Sequence, residues 1–250
     1  MKNKFFNYTV SNIYSKPSLN SEVVSQILYG EKFRILSKKD KWIKIKTFYD
    51  KYIGYIKNKK FIEYFKPSHK IFVLKSTIFI KKKNKFYKTN NFLYFASGVS
   101  IKRAFKNYLE FESNKWIRKK DTKKIKHEEN NFVKILKLFV NSKYLWGGKT
   151  GRGIDCSALV QIYFYYNRIF FPRDTKDQII YCKKKKSKKF SKGDIIFWRG
   201  HVGICINKTK FIHAYGPKRK VTIMPIKYAI QLILKTASLK IKKISNLKNF

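Results

Sequence analysis

Two rhythms of apolar and polar residues divide this chain. In the first 122 residues the apolar positions come in short alternating runs: Ile43 and Ile45 between Lys44 and Lys46, then Ile53-Gly54-Tyr55-Ile56, then Ile78 and Ile80 around Phe79. A period of two is that of a half-buried strand. A faint repeat overlies the pattern. Asp40-Lys41-Trp42-Ile43-Lys44 is echoed by Asn114-Lys115-Trp116-Ile117-Arg118, and each follows a glycine-bearing turn, at Gly30 and Gly98. Two small all-β barrels account for this, over residues 1–65 and 68–122, joined near Lys66-Pro67-Ser68. After residue 122 the rhythm changes. Leu159, Ile162, Tyr163 and Tyr166 recur at the i, i+3, i+4, i+7 spacing, which predicts a helix opened by Cys156, and β-like runs follow at Val202–Ile206 and Lys210–Ile212. The rest of the chain therefore reads as α+β.

Composition narrows the class. With 250 residues, 44% of them hydrophobic, there is apolar content enough for one large core or two to three small ones. No apolar run reaches the ~20 residues that cross a bilayer as a helix. The start, Met1-Lys2-Asn3-Lys4-Phe5-Phe6-Asn7-Tyr8, has basic residues but no uninterrupted apolar stretch and no small-residue cleavage site, so no signal peptide is predicted. The three cysteines, Cys156, Cys182 and Cys205, lack paired or metal-like spacing. Neither a disulfide framework nor a metal site is indicated, and a reduced, cytoplasmic setting is expected. A misassigned start would instead leave room for a hidden leader and a periplasmic setting.

The net charge of +45 points at first to nucleic acid. The kind of cation argues against it. Lysine predominates from end to end, among an excess of Asn, Ile, Phe and Tyr, as AT-rich coding bias would leave it; arginine, which suits base edges and bidentate phosphate contacts, is scarce. Lys81–Lys83 and Lys183–Lys186 are read as solvated loops, and no nucleic-acid partner is expected.

Candidate chemistry gathers around Cys156. A glycine-bearing loop, Trp146-Gly147-Gly148, leads through Gly153-Ile154-Asp155 into the cysteine, which faces the dipole end of its own helix, where thiolate is favoured over thiol. Downstream stand His201, in Gly200-His201-Val202-Gly203-Ile204, and His213, in Phe211-Ile212-His213-Ala214. Each residue alone has a plainer reading, as a small buried hydrophobe or a packed histidine. Together they supply nucleophile, base and orienting group, the logic of a cysteine hydrolase. Of the four histidines, His69 and His127 lie in charged, linker-like sequence and receive no role.

The landmarks Tyr144-Leu145-Trp146-Gly147-Gly148, Gly153-Ile154-Asp155-Cys156-Ser157, Pro172-Arg173-Asp174-Thr175 with Gln178, Gly193-Asp194-Ile195-Ile196-Phe197, Gly200-His201-Val202-Gly203-Ile204 and Ile212-His213-Ala214 follow one another in the order of the NlpC-type bacterial cell-wall cysteine peptidases. Residues 127–250 resemble that papain-like family. Ala158 stands where the family has glycine, and Thr175 where it generally has serine. Residues Lys16 to Glu31, followed by Asp50-Lys51-Tyr52-Ile53-Gly54-Tyr55-Ile56, resemble a bacterial SH3-like domain, with Gly54-Tyr55 where Gly-Trp is usual. The second barrel is recognised by its place and the repeat.

The whole chain thus resembles the subfamily in which SH3-like domains precede the peptidase, which includes cytoplasmic γ-D-glutamyl-L-diamino-acid endopeptidases of the dipeptidyl-peptidase VI type that recycle wall fragments. The resemblance implies hydrolysis of the bond from the D-glutamate γ-carbonyl to the diamino acid, usually meso-diaminopimelate, in muropeptide stems with a free N-terminal L-alanine. The high positive charge would also suit these polycarboxylate substrates. It assigns Cys156 as nucleophile, His201 as base, His213 as the group orienting it and Tyr144 as an extra oxyanion donor. The alanine ammonium would meet Asp155, Ser157, Thr175 and Tyr52, with Glu22 a further carboxylate, the first SH3-like domain narrowing the substrate's access. No metal or cofactor is implied. Three other readings stay open: a periplasmic or secreted hydrolase of intact peptidoglycan, a non-catalytic cell-wall-binding protein, and a nucleic-acid binder for which only the charge speaks.

Overall fold

The alternating runs of the N-terminal half form strands in the computed structural model, which describes residues 3–187 and 189–249. The outermost residues of the expected 1–65 and 127–250 spans lie outside the described residues. The chain forms two compact units, Met1–Glu128 and Glu129–Phe250. In the first, β1 (Asn3–Phe5), β2 (Val10–Tyr14), β3 (Val23–Leu28), β4 (Lys32–Lys39), β5 (Trp42–Thr47) and β6 (Ile53–Lys57) make one sheet in the order β1-β4-β5-β6-β2-β3. Ile43, Ile45 and Ile56 enter a core with Phe6, Ile13, Ile27, Phe33 and Phe61, while Lys44 and Lys46 between them stay half-buried. Gly54 lets β6 lie close to β2, since a Cβ there would come 2.4 Å from Ile13 Cγ2 and 2.9 Å from the Tyr14 carbonyl oxygen.

A second set of strands follows in the same unit: β7 (His69–Ile71), β8 (Lys75–Lys82), β9 (Lys85–Tyr94), β10 (Gly98–Val99), β11 (Arg103–Phe105), β12 (Tyr108–Glu112), β13 (Lys115–Arg118) and β14 (Thr122–Lys124). They form two sheets, β10-β7-β14 and β11-β12-β13-β8-β9. The internal repeat has a physical basis. Asp40 and Asn114 both take left-handed backbone, φ 49° and 53°, in the turns leading into β5 and β13, a conformation these side chains tolerate. Trp42 and Trp116 then turn inward and are buried. The two glycine turns meet: the Gly98 N–H donates to the Tyr29 carbonyl at 3.1 Å, and a Cβ on Gly30, at φ +83°, would lie 2.4 Å from the Gly98 oxygen. Tyr29 packs into the second core with Ile71, Ile78, Leu93, Val99, Leu109, Phe111 and Ile117.

Two expectations change here. A register shift between Thr77 and Phe79 breaks the alternation, so Ile78 and Phe79 are both buried and Ile80 is half-buried. The lysine runs are not simply solvated loops either. Lys81 and Lys82 end β8, with the Lys81 ammonium 3.6 Å from the Phe105 ring centre, and Lys185 is drawn in by Asp194 at 2.5 Å.

The second unit contains α1 (Phe132–Lys137), β15 (Lys149–Thr150), β16 (Gly153–Ile154), α2 (Cys156–Tyr166), α3 (Thr175–Tyr181), β17 (Asp194–Trp198), β18 (His201–Cys205), β19 (Lys210–Tyr215), β20 (Lys220–Pro225), α4 (Ile226–Ala237) and β21 (Lys243–Asn246). The last five strands form an antiparallel sheet in the order β20-β19-β18-β17-β21. Most of α2 is buried, with Tyr163 and Tyr165 half-buried, as befits a helix apolar around most of its circumference. It packs on β18 and β19, which sets Cys156, its first residue, near the start of β18. Ile226, Ala229 and Ile233 of α4 join Ile196, Trp198, Cys205 and Phe211 in a core on the same sheet. Among the described residues no helix is long and apolar enough to cross a membrane.

Candidate active site

Local sequence places the cysteine. Asp155, in extended backbone, caps α2, its Oδ1 accepting the Ala158 N–H at 2.8 Å, as a short carboxylate at that position does. Cys156 is buried, its Sγ 4.0 Å from Thr175 Oγ1 at the start of α3 and 4.0 Å from the Gly200 carbonyl oxygen. The Val202 N–H also reaches the thiol. His201 is the residue between Gly200 and Val202, so the two chain neighbours of its backbone both touch the sulfur.

His201 and His213 meet across β18 and β19, with Nε2 of His201 3.0 Å from Nδ1 of His213. That contact leaves Nδ1 of His201 as the nitrogen for proton exchange. His213 is fully buried and stacks on Tyr215 at 4.9 Å, and the Tyr215 hydroxyl is held by Thr236. Gly203 makes the approach of the strands workable. A Cβ on it would lie 2.3 Å from Phe211 Cζ and 2.8 Å from His213 Cβ. The tautomer that makes His201 a base has its Nε2–H donating to His213 Nδ1, which puts the His213 proton on Nε2. That Nε2 is buried with no hydrogen-bond partner among the described residues.

Burial sets the charge state of the pair, and it corrects the expectation of a ready thiolate. Desolvation pushes the Cys156 thiol up to about 11; the Asp155 charge adds to the rise, and the Val202 N–H, the Thr175 hydroxyl and Arg173 oppose it. Desolvation alone holds His201 down at about 4, and burial followed by the His201 charge holds His213 at about 2. Near neutral pH the pair is therefore thiol and imidazole, and the helix dipole does not overcome the loss of solvation.

The structure also reassigns Asp155 and Ser157. Both Asp155 oxygens are occupied: Oδ1 accepts from Ala158 N–H at 2.8 Å, Ser157 Oγ at 3.0 Å and Arg173 Nη1 at 3.1 Å, and Oδ2 from Gly147 N–H at 3.0 Å and Arg173 Nη2 at 2.6 Å. Ser157 Oγ accepts from Arg173 Nη1 at 2.8 Å besides donating to Asp155. Five donors exhaust a carboxylate, so these residues shape the start of the helix rather than receive a substrate ammonium. Arg173 itself is 2% exposed. It stands in the Pro172-Arg173-Asp174-Thr175 landmark, and an arginine beside Phe170-Phe171-Pro172 in a lysine-rich chain is itself a signal of a buried partner. Gln178 is likewise structural, donating to the Ser157 and Pro172 carbonyls at 3.0 and 2.9 Å.

The remaining candidates fall in two places. Tyr144 is half-buried, its hydroxyl pKa raised by burial and by the neighbouring Cys156 and Asp155, which places it near the reacting sulfur. Tyr52 and Glu22 belong to the first unit. Tyr52 is half-buried in the turn between β5 and β6, its N–H donating to Thr47 Oγ1 at 2.8 Å, and Glu22 is exposed just before β3. His69 and His127 are also in that unit, beside Ser68 and Phe72. Cys182 and Cys205 are buried free thiols. No group of three or more His, Cys, Asp or Glu side chains among the described residues is arranged to hold a metal ion.

Residues 141–235 match the NlpC/P60 family and residues 13–61 the bacterial dipeptidyl-peptidase Sh3 domain. The chain is 25% identical over 232 residues to dipeptidyl-peptidase 6 of Lysinibacillus sphaericus, covering 82% of this chain and 84% of that protein. It is 23% identical over 226 residues to the gamma-D-glutamyl-L-lysine dipeptidyl-peptidase of Bacillus subtilis, covering 82% and 76%. Among solved structures, an NlpC/P60 family protein from Bacillus cereus superposes with a TM-score of 0.77 at 17% identity, over 90% of this chain and 94% of that one. The fold is α+β, a papain-like domain preceded by an SH3-like domain.

Proposed function

This chain carries an NlpC/P60 cysteine-peptidase domain and a bacterial dipeptidyl-peptidase SH3 domain, and from that premise we propose that it hydrolyses the γ-D-glutamyl–diamino acid bond of peptidoglycan stem peptides. The observation that carries the reading is the His201–His213 contact at 3.0 Å beside a cysteine touched by both backbone neighbours of His201. The relatives named for γ-D-glutamyl bonds and dipeptide release support the substrate class.

In this reading Cys156 Sγ attacks the γ-carbonyl carbon of D-glutamate as its proton passes to His201 Nδ1. The carbonyl oxygen takes the negative charge, facing the N–H groups at the start of α2 and the Tyr144 hydroxyl. His201, oriented by His213, returns the proton to the leaving amine, and a thioester remains on Cys156. Water, deprotonated by the same Nδ1, then releases the dipeptide and restores the thiol. The substrate is a wall fragment with a free N-terminal L-alanine, met in the cytoplasm. Thr175, at the sulfur, is the catalytic-domain hydroxyl for that amine.

The test is incubation with L-Ala-γ-D-Glu-diaminopimelate and with its L-lysine counterpart, reading L-Ala-D-Glu by mass spectrometry. Release of the dipeptide by the wild type and none by Cys156→Ala is expected. Absence of dipeptide from both peptides would end this reading. Acetylating the alanine amine removes a charge-assisted hydrogen bond worth about 1.5–3 kcal/mol, so kcat/KM should fall roughly tenfold to a hundredfold. Equal cleavage of free and acetylated peptides would point instead to intact peptidoglycan.

A further inference from the structure

Asp155 acts on Cys156 in two opposed ways. As the cap of α2 it fixes the first turn that presents the sulfur. As a carboxylate one residue away it resists negative charge on that sulfur. We propose that Arg173 is a positioning residue that resolves this conflict, its guanidinium neutralising the Asp155 cap so that Cys156 can carry charge during attack. The inference rests on Cys156 being the nucleophile of the proposed reaction.

The contacts single out this pair. Arg173 and Asp155 side chains are 1% and 7% exposed, and they meet through the two terminal guanidinium nitrogens, Nη2 at 2.6 Å and Nη1 at 3.1 Å. Arg173 also binds Ser157 Oγ at 2.8 Å and the Gly148 carbonyl at 3.4 Å, while Gly147 donates to Asp155 at 3.0 Å. One planar side chain therefore joins the glycine loop before α2, the cap and the residue after the nucleophile. A lysine brings one point charge and cannot span both carboxylate oxygens in this way.

The surroundings of the sulfur leave little else to balance the carboxylate. From α3 comes the Thr175 hydroxyl, from β18 the Val202 N–H and His201, from the residue before β18 the Gly200 carbonyl, and from the segment before β15 the Tyr144 hydroxyl. All of these are uncharged near neutral pH, His201 because of its burial. Full charges come from Asp155 and Arg173, and they act on Cys156 with opposite sign. In a dry site their effects are large.

Opposite shifts on removing either partner are the signature of this role. Arg173→Gln leaves a buried carboxylate uncompensated; Asp155→Asn keeps a good helix cap but leaves the guanidinium unopposed. The rate of iodoacetamide reaction at Cys156, followed by peptide mass spectrometry at about pH 8, should fall at least about tenfold in the first and rise at least about tenfold in the second, each equivalent to one pH unit of thiol ionisation. The double variant should return to within about threefold of wild type, because the charges leave together. Protection of Cys182 and Cys205 reports an intact fold in the same experiment. Shifts of the same sign, no shift, or a double variant slower than Arg173→Gln would overturn the proposal. Should Arg173→Gln unfold, Asp155→Asn decides alone: faster labelling supports the role, and unchanged or slower labelling refutes it. Alkylation needs no peptide substrate, so a failure of the hydrolytic reading would show separately, as absence of dipeptide release by the wild type or as peptidase activity retained by Cys156→Ala.

Discussion

At the scale of single residues, the proposed chemistry turns on where the thiol proton sits before attack. Because burial holds the thiol near 11 and His201 near 4, alkylation of Cys156 should accelerate about tenfold per pH unit between roughly pH 7 and 9. A labelling rate that is level across that range would mean a preformed thiolate–imidazolium pair and would refute the neutral assignment. The contact at His213 Nδ1 makes a sharper distinction among variants of that residue. Asn places an acceptor oxygen at the same branch of the side chain as Nδ1, whereas Gln carries it one methylene farther. His213→Ala should lower kcat by roughly a hundredfold or more, with a smaller change in KM, and Asn should recover more of the loss than Gln. Near-normal kcat in the alanine variant would reduce His213 to a core residue.

At the scale of elements, the site depends on how closely β18 and β19 lie together. Gly203 is a position of close approach, with the buried Phe211 ring and the His213 Cβ both within 3 Å of where a methyl would be. Gly203→Ala forces strand or ring to move at a cost of about 1–3 kcal/mol. The His201–His213 distance lies directly in the path of that movement. Calorimetry should show a lowered Tm, and kcat should fall by more than the folded fraction accounts for. A variant with reduced Tm but unchanged kcat would show that the histidine pair tolerates the shift.

At the scale of the whole molecule, the buried histidines make stability sensitive to acid. His201 has an ordinary value of 6.5 when unfolded and about 4 when folded. The unfolded chain therefore binds the proton first. Its stabilising contribution is complete above about pH 6.5 and is lost as pH falls toward 4, about 3 kcal/mol in all. His213, held lower still at about 2, extends the loss in the same direction. Denaturant midpoints measured from pH 7 to 4 should decline, and the slope should flatten in His201→Asn/His213→Asn. An unchanged slope in that double variant would place the acid sensitivity elsewhere.

The sequence by itself marked the two rhythms, the helix opened by Cys156 and the strand-like runs holding His201 and His213, because periodicity and motif spacing are local properties of the chain. The Asp40/Asn114 repeat was legible for the same reason: each residue makes its own left-handed turn. Tertiary structure alone decided which charges meet. Asp155 read as a ligand for substrate until Arg173, distant in sequence, took both of its oxygens. The helix dipole at Cys156 suggested a thiolate, and burial by α3 and β18 reversed it. Nor does any local pattern announce the bulge that buries Ile78 and Phe79 together, or Tyr29 entering the core of the second set of strands. Desolvation and the pairing of buried charges depend on neighbours brought together by folding, and a linear pattern contains neither.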